Sequence, residues 1–330
     1  MLKLFQRNTL AQAIIILASL LLLWARPLIN PPAMDPEAST AILYQLLCQL
    51  LGSTPRLAVV LAMVLVLAES VWFNLLVSGI NLTSQNSLLP TLLMVVALSA
   101  GCSTLTPMLL VTAALIGCMD QLLLRSTLLT IDGGKICGAT ALIGLATMFY
   151  EPAIAIMLSY FFVASNFRLY NWKDWVVMIL GLLAPYTLLL AVLYMTDGLA
   201  DWWVTTVDTM SKILISPLAE YSVITLIASS ILCLIMLWSL TTTMGHLHER
   251  PVLWQRNATT LMLFTIGGIG MMLYTPLLPF RLHFFAIPFA FCATRTLLTA
   301  VSATSGMRKH KRTWIYDLVL ILTIIAAIAC

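Results

Sequence analysis

The chain has 330 residues, of which 61% are hydrophobic and only 9% are charged, and its mean hydropathy is +1.00. Soluble domains carry about 25% charged residues, because a surface that faces water needs them. The composition therefore excludes a soluble enzyme, a disordered protein and a disulfide-stapled domain. It predicts an all-α, polytopic transmembrane helix bundle that forms a single integral membrane domain over residues 1–330.

Apolar runs of about 20 residues, the length that crosses a bilayer as a helix, predict the membrane spans. Clear spans are expected at 9–26, 56–80, 174–196, 220–244, 257–276, 282–303 and 314–330. We expect Arg26-Pro27 to close the first of them.

The apolar stretch 87–166 is too long for one or two helices. It is interrupted at Gly101-Cys102-Ser103, Thr130–Lys135 and Tyr150-Glu151-Pro152. These interruptions predict about four segments, some too short to cross a bilayer, which are half-helices or a buried hairpin. The total is then about eleven spans.

The charges predict how the bundle is oriented, because Lys and Arg stay on the cytoplasmic side. With the N-terminus inside, the inner loops hold Arg125, Lys135, Arg168, Lys173, Arg250, Arg256, Arg308, Lys309, Lys311 and Arg312. The outer loops hold Asp35, Glu37, Asp197, Asp201, Asp208 and Glu220. This alternation favours an N-in, C-out topology.

Two outer segments are amphipathic without being long enough to span. Residues 38–51 place leucine and isoleucine on one helical stripe, and residues 201–215 begin with the pair Trp202-Trp203. Tryptophan pairs favour the membrane interface, so both segments are predicted to be helices that lie on the outer surface.

Charged side chains inside spans are costly and therefore mark functional candidates. Glu69 lies midway along the second span, and Arg295 lies midway along the tenth at a comparable predicted depth. An intramembrane charged pair between them would offset both burial penalties. The pair is either a proton or substrate relay or a structural contact.

The outer face offers a second group of candidates. Asp35, supported by Glu37, is either a helix N-cap or a carboxylate for general-base work or for a divalent cation. Arg281 and His283 begin the tenth span, where they either clamp a lipid-linked phosphate or anchor the helix at the headgroups. Glu151, in a turn at the same level, is a candidate substrate-binding residue.

Familiar motifs of soluble chemistry are missing from the sequence. It contains no Walker A sequence, no HExxH and no GxSxG, and its seven cysteines form no CxxC pair. We predict no resident metal site and no nucleic-acid partner, and we interpret the cysteines as small apolar packing residues.

Several segments resemble an uncharacterised family of bacterial multipass inner-membrane proteins, some of which are labelled carotene monooxygenases. The segments that carry the resemblance are Asn81–Pro90, Gly144–Ala146, Phe149–Pro152, Trp172–Trp175 and Gly181–Pro185. The resemblance implies a bacterial inner (cytoplasmic) membrane and no established activity. The monooxygenase label is unsupported, because four histidines in loops and at one helix start do not supply a clustered iron site.

The order of spans and outer loops along the chain is similar to that of the GT-C glycosyltransferases. Those enzymes have an acidic first outer loop with a membrane-lying helix, several spans, and a second structured outer loop. The resemblance implies a core over residues 1–219 with additional spans over 220–330, and Asp35 in the place of the first-loop catalytic carboxylate. It also implies a sugar donor linked to polyprenyl phosphate and a role in envelope glycan assembly.

The leading hypothesis is therefore a GT-C-like glycosyltransferase whose partners are membrane lipids, among them the polyprenyl-phosphate donor. One alternative is a scaffold or channel subunit of a secretion or envelope complex. Its membrane-protein partners would contact the small-residue faces at Gly138, Gly144 and Ala146 or at 267–270. Another alternative is a transporter that uses the Glu69–Arg295 pair and broken helices near 101 and 150.

Overall fold

The computed structural model describes residues 9–82, 87–123, 132–167, 171–211, 223–272, 282–304 and 313–329. Within these ranges the chain is all-α, as predicted, with thirteen α-helices and no strand. The helices are α1 Thr9–Ile29, α2 Ile42–Leu51, α3 Pro55–Gly79, α4 Leu89–Ser99, α5 Pro107–Leu122, α6 Gly133–Phe149, α7 Ile156–Asn166, α8 Trp172–Met195, α9 Leu199–Ser211, α10 Val223–Gly245, α11 Val252–Met272, α12 Ala286–Thr304 and α13 Thr313–Ala329. Short 3₁₀ turns occupy Pro36–Ala38, Glu151–Ala155 and Leu282–Phe285.

Three of the described helices are long and apolar enough to cross a membrane. They are Leu10–Ile29, Pro55–Gly79 and Trp172–Met195. Shorter apolar helices accompany them, among them α4, α5 and α6. This set of helices is that of a multi-pass membrane protein.

The described part of the stretch 87–166 holds four helices, α4 to α7. They are separated near Gly101–Ser103 and at Tyr150–Pro152, as predicted; of the third predicted interruption, residues 133–135 belong to α6 and residues 130–131 lie outside the described residues. Helix α4 has 11 residues, all of them buried, and at about 1.5 Å per residue it is roughly 16 Å long. A bilayer core is about 30 Å thick, so α4 is a half-helix. It is apolar on every side because it packs among α1, α3, α12 and α13.

Glycines set the closest helix crossings. A Cβ at Gly144 of α6 would lie 2.6 Å from the backbone oxygen of Leu182 in α8. A Cβ at Gly270 of α11 would lie 3.1 Å from that of Ala155, which precedes α7. The small-residue faces that the scaffold hypothesis assigned to partners therefore pack within the chain itself at these positions.

Several predicted boundaries were wrong, among them the start of α11, which lies at Val252 instead of 257. Helix α1 continues through Pro27 to Ile29, because a proline in the last turn removes only one helical hydrogen bond. The helix predicted to begin at 38 begins at Ile42, because Ala38 ends a 3₁₀ turn and Ala41 is extended. Between them, the hydroxyls of Ser39 and Thr40 form hydrogen bonds to residues 149 and 151. Helix α9 begins at Leu199, and the predicted end at 215 lies outside the described residues.

Candidate functional site

The end of α6 places a carboxylate in a turn between two helices. The helix stops at Phe149, Tyr150 is extended, and Pro152 lies in the following 3₁₀ turn. This geometry turns Glu151 inward, where it is only 9% exposed. A buried carboxylate needs hydrogen-bond donors.

The first outer segment supplies them. The hydroxyl of Thr40 lies 2.8 Å from both Glu151 Oε1 and Oε2 and donates to the carboxylate. The hydroxyl of Ser39 donates to the carbonyl of Phe149 at 3.0 Å. These bonds fasten the segment before α2 over the end of α6, across a separation of 111 residues between Thr40 and Glu151.

A small cleft opens beside this carboxylate. Its lining comes from α2, α6, α8 and α9 together with the turn itself, namely Ala41, Ile42, Thr147, Met148, Glu151, Tyr186, Leu189, Trp202 and Thr206. The phenol of Tyr186 lies 2.6 Å from the Thr147 hydroxyl, which fixes one wall. The cleft volume is about 20 Å³, which is room for about one water molecule. Both predicted outer helices thus meet at Glu151.

The electrostatics of the turn favour a proton acceptor of raised basicity. Burial raises the pKa of Glu151 above its ordinary value, and the hydrogen bond from Thr40 acts in the opposite direction. A carboxylate whose pKa is shifted toward neutrality is better suited to general-base work near pH 7 than an exposed one.

Asp35 lies on the same outer segment and is exposed. Its backbone carbonyl accepts a hydrogen bond from the Tyr44 phenol at 3.0 Å, which ties the 3₁₀ turn to α2. Burial raises the pKa of Tyr44, so the phenol stays a neutral donor. The side chain of Glu37 and the whole of Arg281 lie outside what the structure describes.

The predicted headgroup role of His283 is wrong. Its side chain is 0% exposed, and Nε2 lies 2.8 Å from the carbonyl oxygen of Leu98. Because a carbonyl only accepts, Nε2 carries the proton and donates it. Cys102 Sγ lies 3.2 Å from the same nitrogen. The histidine therefore satisfies a carbonyl in the last turn of α4, which has no partner within the helix because the helix ends there, and it does not face the membrane surface.

Glu69 lies in the middle of the bundle, near this break. It is 2% exposed, and its Oε2 accepts a hydrogen bond from Thr112 at 2.7 Å. Oε1 has no hydrogen-bond partner among the described residues. Glu69 is also close enough to Cys102 and His283 for an electrostatic interaction with each.

The predicted Glu69–Arg295 pair does not form. The guanidinium of Arg295 lies 4.0 Å from the centre of the Trp254 ring, and Trp254 Nε1 donates to the carbonyl of Leu82 at 3.1 Å. Leu82 follows the end of α3 at Gly79, which is ten residues, or about 15 Å, along the helix from Glu69. Arg295 therefore lies near one end of the bundle, away from Glu69.

A larger, apolar cavity opens among α10, α11 and α12, where Leu237 and Ile269 are exposed. It has a volume of about 280 Å³, and its walls come from α10, α11, α12 and their neighbours: Ala97, Leu232, Cys233, Met236, Leu237, Leu240, Thr265, Ile269, Phe285, Ala286 and Phe289. Such a lining suits a hydrocarbon chain, and none of its residues carries a charge that would bind a charged ligand.

Sequence reasoning missed the hydroxyls of Thr40 and Thr112 and the ring of Trp254. Each partners a charged group, yet none lies near that group in the sequence. A search for single polar residues at the ends or in the middle of apolar runs would have found the threonines. Within the described ranges, no three histidine, cysteine or acidic side chains are grouped closely enough to hold a metal ion.

No protein-family model matches this chain, and neither a curated protein nor a solved structure is significantly similar to it.

Proposed function

We propose that this chain is a GT-C-like membrane glycosyltransferase that takes a sugar from a polyprenyl-phosphate donor at the predicted outer face, in envelope glycan assembly. The observation that carries the proposal is the convergence at Glu151. A buried carboxylate receives a hydrogen bond from the first outer segment, and the second outer helix lines the same cleft. An active site between two outer loops needs this arrangement.

In the proposed reaction Glu151 is the general base. It takes the proton of the acceptor hydroxyl while that oxygen forms a bond to the anomeric carbon of the sugar. The bond between this carbon and the phosphate oxygen breaks, and polyprenyl phosphate leaves with the electron pair. Asp35, which is exposed on the adjoining segment, binds the acceptor or a divalent cation beside it.

The cleft size sets a condition on this mechanism. A volume of about 20 Å³ admits one water-sized group, and a sugar is larger. Helix α9, which contributes Trp202 and Thr206, must therefore move away from Glu151 when the donor binds. The apolar cavity of about 280 Å³ is suited to part of the polyprenyl chain.

We further infer the topology that this function requires. Eleven helices, all but α2 and α9, cross or enter a bacterial inner membrane with the N-terminus inside. Helices α2 and α9 lie on the outer surface. The positive loops predicted on the inner side support this orientation. The proposed core covers residues 1–219, and the spans over 220–330 are additions to it.

The test begins with the lipids that the protein retains. The full chain is purified in mild detergent and analysed by native mass spectrometry, and it is then incubated with a panel of undecaprenyl-phosphate-linked hexoses. We expect retained polyprenyl phosphate and release of undecaprenyl phosphate from at least one donor. Recovery of phospholipids alone with stoichiometric protein partners, and no release, would overturn the proposal in favour of a scaffold.

One observation favours a transporter as the second candidate. Glu69 keeps one oxygen without a described partner in the interior, beside the broken pair α4 and α5. Intramembrane carboxylates at broken helices carry protons or ions in transporters. Proton uptake by proteoliposomes that is lost in Glu69→Gln and kept in Glu151→Gln would support this candidate.

A further inference from the structure

The end of the bundle away from Glu151 contains a cavity that the proposed function does not use. It has a volume of about 220 Å³ and lies between the end of α3, the start of α11 and the second half of α12. The residues that line it are Asn81, Leu82, Arg250, Pro251, Trp254, Arg295, Leu298 and Thr299.

Arg295 is a buried charge that the protein satisfies only in part. It is 7% exposed, and among the described residues its guanidinium lies over the ring of Trp254, 4.0 Å from the ring centre. Its Nη1 is buried and has no hydrogen-bond partner among the described residues. Arginine stays charged in proteins, so burial without an acceptor is costly. The cation–π contact with Trp254 stabilises the charge in part and leaves the N–H groups of Nη1 without acceptors.

The surroundings of Arg295 are also positive. Arg250 is exposed at the rim of the same cavity and interacts electrostatically with Arg295. Among the described acids, Glu249 interacts electrostatically with Arg295, more weakly than Arg250 does. It is mostly exposed, and its Oε2 lies 3.3 Å from Nδ1 of His246. Helix α11 begins at Val252 beside the cavity, and a helix N-terminus adds partial positive charge.

We propose that this cavity binds a phosphate-type anion. The planar guanidinium of Arg295, held flat by Trp254, presents Nη1 to a phosphate oxygen, and Arg250 supplies a second charge-assisted hydrogen bond. Pockets for drug-sized ligands measure about 300–1,000 Å³, so about 220 Å³ suits a single phosphate group with little attached inside the cavity. The source is either the headgroup of an anionic lipid in the adjacent leaflet or a free phosphate.

The proposal is independent of the glycosyltransferase assignment, because the cavity shares no residue with the Glu151 cleft. It is tested on the full chain in detergent with two probes. Phosphatidylglycerol retention is measured by native mass spectrometry against phosphatidylcholine, and inorganic phosphate binding is measured by equilibrium dialysis with labelled phosphate. The variants are Arg295→Gln, Arg295→Lys and Arg250→Gln. The matched control is Arg56→Gln, which removes an exposed arginine from the opposite end of α3.

We expect at least one probe to bind, with affinity reduced about tenfold or more in Arg295→Gln and about threefold to tenfold in Arg250→Gln. Arg56→Gln should bind as the unmodified chain does. Arg295→Lys should bind less well than the unmodified chain, because an ammonium neither stacks flat nor presents a fork. Preferential retention of phosphatidylglycerol identifies a lipid headgroup, and saturable phosphate binding in delipidated protein identifies a free anion.

Two results would overturn the proposal. One is that neither probe binds the unmodified chain or Arg56→Gln more tightly than it binds the variants in which a cavity arginine is replaced. The other is that Arg295→Gln lowers only thermal stability while anion binding is unchanged, which makes Arg295 structural. Because Arg250 is exposed and its replacement leaves the core intact, Arg250→Gln gives a binding answer even where Arg295→Gln does not fold.

Discussion

Two buried glutamates, each held by a threonine, differ in what surrounds them. The hydroxyl of Thr40 lies 2.8 Å from both oxygens of Glu151, beside a cleft that α2 and α9, the two helices predicted to lie on the outer surface, help to line. Thr112 reaches one oxygen of Glu69, at 2.7 Å in the interior, and the other oxygen has no described partner. Both carboxylates are buried, but of the two only Glu151 lines one of the described cavities.

The difference separates the proposed functions. A general base must approach its substrate within hydrogen-bond reach, which the Glu151 cleft permits once α9 moves. Glu69, on α3, is only 2% exposed and lies beside Thr112 of α5, so a substrate reaches it only if the helices move apart. A transferase therefore depends on Glu151, and a transporter depends on Glu69.

The largest expected effect comes from Glu151→Gln. The amide keeps the size of the side chain but is not a base, so transfer should fall by about 100-fold or more, the usual contribution of general acid–base catalysis. The measurement is the rate of undecaprenyl phosphate release from the donor that the unmodified chain uses. Glu69→Gln is the matched control and should stay within about threefold. Equal losses in the two variants would remove the distinction between the sites.

The crossing of α6 with α8 offers the next test, because α6 ends at the Glu151 turn and α8 carries Tyr186. In Gly144→Ala the new Cβ would lie 2.6 Å from the backbone of Leu182, and such overpacking costs about 1–3 kcal/mol. We expect a lower thermal unfolding temperature in detergent and slower transfer.

Gly133→Ala is the control on the same helix, since a Cβ there meets no atom within 4 Å. This variant should be as stable as the unmodified chain, or more so, given the higher helix propensity of alanine. If Gly144→Ala also gains stability, the close crossing of α6 and α8 is incorrect.

A smaller effect is expected at the inner carboxylate. Thr112→Val removes the hydrogen bond to Glu69 and leaves the buried group without its donor, which costs about 1–3 kcal/mol. Unfolding in mixed micelles of increasing dodecyl sulfate measures the loss, and Thr112→Ser should recover most of it. Transfer by the protein that remains folded should be unchanged. A rate loss as large as that of Glu151→Gln would instead place Glu69 in the reaction.

Hydropathy predicts the helices well, because lipid imposes length and polarity on every span. The interruptions near Gly101 and Glu151 are predicted for the same reason, since charge, proline and small polar residues stand out in an apolar stretch. The positions of the outer helices follow from their tryptophans and leucine stripes. Their first residues differ from the prediction. For α2 the reason is that side-chain bonds such as that of Thr40 to Glu151 join residues far apart in sequence.

The site was less predictable, for a geometric reason. Counting residues from the ends of spans gives an approximate depth, and neither the rotation of a helix nor its offset from its neighbours follows from it. Depth alone therefore predicts a pair of Glu69 and Arg295, although the guanidinium of Arg295 lies over Trp254. The position of His283 at a span start predicts a surface location, although the break after α4 exposes the carbonyl of Leu98, to which the histidine donates.

The smallest effect, and the most specific, concerns the pH dependence of transfer. Burial raises the pKa of Glu151 and the Thr40 hydrogen bond lowers it, because that bond stabilises the charged form. Thr40→Val removes the bond, so the pKa of Glu151 should rise further. A base acts only when deprotonated, so the acid limb of the kcat/KM profile should move to higher pH, while Thr40→Ser should leave it in place.

The raised pKa of Glu151 also makes the stability of the folded protein depend on pH. A carboxyl with a raised pKa in the folded state favours the protonated form, so its stabilising contribution is present below the ordinary pKa of glutamate and is lost as the pH rises through the folded value. Thr40→Val should therefore match the unmodified chain at acidic pH and fall below it at neutral pH. An acid limb that stays fixed while stability shifts in this way would show that Glu151 titrates as described but is not the base.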